Sequence, residues 1–243
     1  MKKWQIGLVI ALVLILGFNL GFYFNFKQSQ KNIKTNTVDL VVANVPYDEM
    51  LPIYAEPNEN SEKISEFCGQ TCLTSNLYSD RRTINGFAKV ELLDGREGYV
   101  SLGESYYITL HLENIEDENR RIVCETALKY LGTPYKDIQC TGLIRRSFLP
   151  IEINYGDKYV TEYDSDEVGK KISEKELQPG DLVLYESIGG GISNGHIGLY
   201  LGDGFVIQST LDKGAKYPTG GIRITKLTFR DSPTSLRDPF VKE

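Results

Sequence analysis

Tyr130-Leu-Gly-Thr-Pro-Tyr135-Lys-Asp-Ile-Gln-Cys140-Thr-Gly-Leu-Ile-Arg-Arg-Ser-Phe148 is the stretch on which the reading of the fold turns. Upstream of it, Ile115, Ile122, Val123, Thr126, Ala127, Tyr130 and Leu131 recur at helical spacing, and Gly132 with Pro134 ends the run. Cys124 falls near that apolar face and reads as a buried small hydrophobe. Cys140 then follows a loop and opens a second apolar-periodic helix over 141–148, with Gly142 removing bulk beside it. Backbone N–H groups at a helix start favour a thiolate, the nucleophilic form, so the sulfur is expected to ionise below the free-cysteine value. Beyond a polar stretch to Glu176, strands are expected over 181–185, 196–201, 205–208 and 222–227. Helices followed by an antiparallel sheet make an α+β order.

The second informative stretch is Gly195-His196-Ile-Gly-Leu-Tyr-Leu-Gly202-Asp-Gly204-Phe-Val-Ile-Gln208. His196 starts a strand, Gly202-Asp-Gly204 turns the chain back, and Gln208 falls on the partner strand. A two-strand ladder of this length brings His196 and Gln208 together. A cysteine, a histidine base and a polar group that orients the histidine form the set that cysteine hydrolysis needs. The other histidine, His111, lies between two segments without a partner in sequence and reads as structural.

Three blocks in order, Tyr130-Leu-Gly-Thr-Pro-Tyr135 with Cys140-x-Gly-Leu, then Leu177-Gln-Pro-Gly-Asp-Leu-Val183, then His196-Ile-Gly-Leu-Tyr-Leu-Gly-Asp-Gly, resemble an NlpC-type cell-wall peptidase over roughly 120–227. The resemblance implies a papain-like α+β fold and cleavage of peptidoglycan stem peptides, typically between D-glutamate and the following L-diamino acid. It makes Cys140 the nucleophile, His196 the base and Gln208 the third polar position, and it sets Tyr135 beside the nucleophile. The reaction so implied needs no cofactor, and two histidines with four cysteines lacking paired spacing offer no metal site. The chain departs from the family pattern in a short Tyr135–Cys140 loop, in Gln139 where an acid often precedes the cysteine, and in Thr141 where serine often follows. Tyr135, Gln139 and Thr141 are therefore the expected substrate-binding positions. Two other classes stay open: an inactive wall-binding scaffold, and an amidase or acyltransferase of the same fold.

Before this region, segments at 39–45, 51–54, 63–67, 87–93 and 97–102 read as short strands, with Asp94-Gly95 as a hairpin turn. Leu51-Pro-Ile-Tyr-Ala-Glu-Pro and the hairpin around Asp94-Gly95 resemble a bacterial SH3-like barrel, a module that binds wall polymer, docks on its neighbour or serves as a spacer. Cys68 and Cys72 flank Gly69-Gln-Thr. Outside the cytoplasm the pair is expected to be oxidised; inside it would be two thiols. No second half-site makes them zinc ligands.

Composition bounds the rest. The 243 residues are 41% hydrophobic and 25% charged, an ordinary globular balance. The net charge is −6, and residues 1–34 carry five lysines and no acid, so the remainder is markedly acidic. That disfavours nucleic acid as a partner. Ile6 to Phe26 is uncharged and long enough for one membrane crossing. The absence of a small-x-small exit site favours an uncleaved anchor over a signal peptide. The expected organisation is an anchor and linker over 1–37, an SH3-like barrel over 38–110 and a catalytic domain over 111–243. The protein is expected in the cell membrane as a single-pass chain with its domains outside the cytoplasm, acting on peptidoglycan. Gly189-Gly-Gly191 lacks the lysine of a phosphate loop and reads as a rim beside His196. Asp164-Ser-Asp-Glu167 lacks calcium-loop spacing and reads as a solvated acidic turn.

Overall fold

The computed structural model describes residues 37–75, 83–92, 95–186, 195–210, 220–229 and 232–241. The expected membrane anchor, Asp94 of the hairpin turn and the Gly189–Gly191 rim lie outside the described residues. Among the described residues, no helix is long and apolar enough to cross a membrane.

The first seven strands are β1 (Thr37–Ala43), β2 (Met50–Tyr54), β3 (Lys63–Cys68), β4 (Thr71–Thr74), β5 (Phe87–Glu91), β6 (Glu97–Ser101) and β7 (Ser105–His111). β4 and β7 were not among the strands expected from sequence. β1 pairs along its whole length with β7, from Thr37 opposite His111 to Ala43 opposite Ser105. Its apolar run Leu40-Val-Val-Ala43 is buried on both faces, which is why it does not alternate. Val41 and Ala43 enter a core with Leu51, Ile53, Phe67 and Val100. Leu40 and Val42 point the other way, into a larger core shared with the helices. β4 divides likewise, with Leu73 in the first core and Cys72 in the second.

Helix α1 (Glu118–Leu128) begins at Asp117, whose side chain accepts the Arg120 N–H at 3.0 Å. Helix α2 (Cys140–Phe148) follows the loop, and a single helical turn α3 (Val160–Tyr163) comes next. The remaining strands are β8 (Lys170–Lys171), β9 (Leu182–Tyr185), β10 (His196–Gly202), β11 (Phe205–Thr210), β12 (Gly221–Lys226) and β13 (Ser235–Asp238). Both main helices and four main strands fall where the α+β order expected them. α1 and α2 cover one face of β9–β12, with Val123, Leu143, Ile144, Ile197, Ile207 and Ile224 in the shared core.

The thirteen strands among the described residues join one sheet, because β12 pairs with β4. Ile224 lies opposite Cys72 and Thr225 opposite Thr71, and the Lys226 N–H donates to the Gln70 carbonyl at 2.9 Å. Residues from Asn36 onward form one compact unit.

Two buried arginines tie distant segments. Arg120 on α1 reaches Asp181 at 2.6 Å and Asp238 at 2.7 Å, with its guanidinium 4.4 Å above the Phe240 ring. Burial pushes the Asp181 carboxyl up to about 6, against the pull of Arg120 and the Gln178 N–H. Arg237 on β13 donates to Asp164 at 2.8 Å and to Asp166 at 2.6 Å. The stretch Asp164–Glu167 is thus a clamp for the C-terminal strand rather than a purely solvated turn. No group of metal-ligating side chains occurs among the described residues.

Cys68 and Cys72 are both buried, and neither is in a disulfide. This corrects the expected oxidised pair. Cys72 faces the larger core between Val42 and Ile224, whereas Cys68 ends β3 opposite Met50, so the two strands part at Gly69-Gln70.

Candidate active site

The site is built where α2 meets the start of β10. Cys140 is the first residue of its helix, with Gln139 at the N-cap in extended conformation. The preceding loop is pinned twice. Gly132 N–H donates to Ile222 and Ile222 N–H donates to Thr133, each at 2.9 Å, while Pro134 bridges Gly221. The fully buried Ser209 hydroxyl on β11 donates to the Ile138 carbonyl at 2.5 Å, two residues before the cysteine. A short loop therefore suffices, because the sheet holds it at both ends.

The Cys140 thiol is largely buried, and burial pushes it up from its ordinary value. The backbone N–H groups of Ile197, Thr141 and Cys140 itself pull the other way. This corrects the expectation of a low value: the helix start acts as foreseen, but desolvation outweighs it. The Ile197 contact sets the sulfur against the peptide that joins it to His196. Burial also raises the Tyr135 hydroxyl, and the charge at Cys140 adds to this, so the two residues feel each other. Cys124 is completely buried, its thiol pushed up to about 12, and Cys72 is pushed further up by the same cause. Both are poor nucleophiles.

His196 and Gln208 meet directly, with Nε2 and Oε1 2.5 Å apart. They are not opposite one another in the ladder. Gly198 faces Gln208, and His196 lies two residues earlier on the same side of the sheet. A Cβ at Gly198 would stand 2.4 Å from Val206 Cγ1 and 3.2 Å from Gln208 Cβ, so the missing side chain is what lets the amide reach the imidazole. The hairpin is closed by Gly202, Asp203 and Gly204, all at positive φ. The amide nitrogen of Gln208 donates to Thr225 Oγ1 at 2.5 Å.

Gln139 is exposed, and its side chain makes no bond to the helix start; Thr141 is half-buried in the first turn. Three neighbours had gone unnoticed in the sequence. Tyr185, opposite His196, stacks its ring near the imidazole and donates its hydroxyl to the Leu227 carbonyl at 2.9 Å. Thr225 holds Gln208. Tyr163 on α3 is completely buried, and its hydroxyl has no hydrogen-bond partner. Burial pushes that hydroxyl up to about 12, Arg145 opposing and Cys140 adding. The one signal in sequence was the aromatic at the end of a strand directly before His196; the other two depend on contacts between distant segments.

A buried thiol at a helix start beside the His196–Ile197 peptide, and a histidine held by an amide on an antiparallel sheet, are the elements that the resemblance to a papain-like α+β fold leads one to expect. Residues 126–223 match the model of the NlpC/P60 family. The bifunctional muramidase/DL-endopeptidase CwlT of Bacillus subtilis is 29% identical over 140 residues, covering 49% of this chain and 41% of that protein. The murein DD-endopeptidase/LD-carboxypeptidase MepS of Escherichia coli is 30% identical over 84 residues, covering 34% of this chain and 42% of that one. The chain thus spans less than half the length of these relatives. An NlpC/P60 family protein from Bacillus cereus overlays with a TM-score of 0.41 at 19% identity, over 86% of this chain and 66% of the other.

Proposed function

We propose that this protein is a cell-wall hydrolase that cuts peptidoglycan stem peptides, at the bond between D-glutamate and the L-diamino acid. The observation that carries the reading is the 2.5 Å contact of His196 with Gln208 beside the helix-start Cys140, inside the segment that matches the NlpC/P60 family. The names of the relatives, a DL-endopeptidase and a DD-endopeptidase, support an amide of the wall peptide as substrate. In the proposed reaction His196 takes the Cys140 proton and the thiolate attacks the amide carbon. The Cys140 N–H and the Tyr135 hydroxyl hold the oxyanion, and His196 returns the proton to the leaving amine. Water then hydrolyses the thioester, releasing the new carboxylate and restoring the thiol. No metal enters these steps.

The strands from β1 to β7 act in this reading as an SH3-like module fused to the catalytic sheet. Residues 6–26 anchor the chain in the cell membrane, with residues 38–243 on the extracytoplasmic side. Digestion of purified peptidoglycan, followed by mass spectrometry of the fragments, tests the reading. New amino termini at the diamino acid, absent with Cys140→Ala, support it. Cleavage at D-alanyl bonds moves the activity to the DD class, and no cleavage of any stem peptide overturns it.

A further inference from the structure

We infer that Thr225 is a positioning residue of the active site: it sets the tautomer of His196 through the side-chain amide of Gln208. The inference rests on the thiol-hydrolase reading above. His196, Gln208 and Thr225 lie on one face of three neighbouring strands, and Gln208 and Thr225 are almost wholly inaccessible to solvent.

An amide has two ends of similar size and opposite hydrogen-bonding character, and only its partners decide which way it points. Here the decision falls to the Thr225 hydroxyl. Its proton goes to the Lys226 carbonyl at 3.1 Å, so towards Gln208 its oxygen accepts. The amide nitrogen is thereby committed to Thr225, and Oε1 is turned to His196. An oxygen there requires the imidazole proton on Nε2. A neutral ring carries one proton, so Nδ1 becomes the basic nitrogen that receives the thiol proton. A reversed amide would present N–H to Nε2, shift the ring proton to Nδ1 and remove the base.

The cost of losing the hydroxyl falls on Gln208. The Lys226 carbonyl also accepts the Phe229 N–H at 3.0 Å, so it keeps a partner. Gln208 would be left with a buried end unsatisfied in either orientation, and its preference would vanish. The strand that carries Thr225 is held in turn by β4, through the Thr71–Thr225 pair and the Lys226–Gln70 bond. The first group of strands therefore supports the catalytic histidine through the sheet itself.

The test reads the tautomer directly, by nitrogen and carbon NMR of imidazole-labelled full-length protein near pH 8.5, about two units above the ordinary histidine pKa. The chain has two histidines, so His111 serves as an internal control. Wild type and Thr225→Ser are expected to hold the proton on Nε2. Thr225→Val should populate both tautomers and lower kcat about tenfold with KM little changed, the size expected for one lost hydrogen bond. In a Gln208→Glu background, whose carboxylate ends are alike, Thr225→Val should leave the tautomer unmoved. If Thr225→Val does not fold, Thr225→Ala is measured in its place. A folded Thr225 variant that keeps the proton wholly on Nε2, or one that shifts it equally in the Gln208→Glu background, overturns the inference. The NMR readout is independent of turnover, so an inactive wild type would sink the functional reading and leave this result standing.

Discussion

Tyr185 and His196 are direct cross-strand partners, and their ring centroids lie 5.9 Å apart with planes tilted by 37°. The imidazole is thus confined on one side by an aromatic ring and at Nε2 by Gln208. The Tyr185 hydroxyl is spent on the Leu227 carbonyl, away from the reaction. Tyr185→Phe should therefore keep its turnover and lose about 1 kcal/mol of stability, the net worth of one hydrogen bond. Tyr185→Ala should lose about 3–5 kcal/mol, as buried aromatic truncations do, and most of its activity. Urea unfolding midpoints and stem-peptide hydrolysis on both variants check this; equal activity loss in both would mean that the hydroxyl, not the ring, matters.

Cys140 titrates above its ordinary value because burial outweighs the backbone N–H groups around it. The thiol is then the resting form at neutral pH, and in the proposed reaction His196 removes its proton. Alkylation of Cys140 should rise with pH through a midpoint above about 8.5, the free-cysteine value. Rates of iodoacetamide labelling followed by peptide mass spectrometry measure it. Full reactivity already reached at pH 7 would indicate a preformed thiolate–imidazolium pair instead.

Gly198 supplies a third expectation. A methyl group there meets Val206 and the Cβ of Gln208. Gly198→Ala should cost about 1–3 kcal/mol, the usual penalty of overpacking, and should reduce hydrolysis beyond what the loss of folded protein explains. Thermal unfolding and activity per folded molecule separate the two effects.

The His196–Gln208 pair was legible because its cause is local: two strands and a Gly-Asp-Gly turn lie within one short stretch, and their period brings the residues together. Cys140 was legible as a helix start, but its burial was not, because the covering residues come from β10 and α3. Thr225, Ser209 and Arg237 act on groups between 17 and 73 residues away, and no periodicity announces such contacts. The two-sided burial of β1 and β4 was hidden for the same reason. A strand's pattern shows that it is apolar, while the identity of the two cores depends on the whole sheet.

The Asp164 clamp gives a pH dependence of definite sign. Burial pushes this carboxyl up, but hydrogen bonds from Ser235 and Arg237 prevail and hold it below the usual range. A depressed carboxylate stabilises the fold fully above its unfolded value of about 3.9 and loses that contribution as the pH falls through its folded value. Asp164→Asn should therefore be less stable than wild type at neutral pH and should converge with it in acid. Denaturation curves over the acid range decide; a constant difference at every pH would remove the ionised Asp164 from the account.

Gln139 governs the last expectation, which concerns the amino end of the substrate. In proteins of the pattern this chain resembles, an acid just before the nucleophile helps to hold the free ammonium of L-alanine. Gln139 is exposed and makes no bond to the helix it precedes, so its amide is free to meet a substrate but brings no charge. A charge-assisted hydrogen bond is roughly twice as strong as a neutral one, so the ammonium should lose about 1–2 kcal/mol of binding. If the proposed activity holds, the wild-type protein should cut an N-acylated stem peptide about as well as the free one, and should accept stems still joined to glycan. Gln139→Asp restores the charge and should favour the free amine by about tenfold in kcat/KM, the factor that 1.4 kcal/mol represents. Hydrolysis of the free peptide, its N-acetyl form and intact sacculi by both proteins measures the effect. A strong preference of the wild type for the free amine would place the missing charge on another residue, and the acidic side chains of the β1–β7 strands would be the first to substitute.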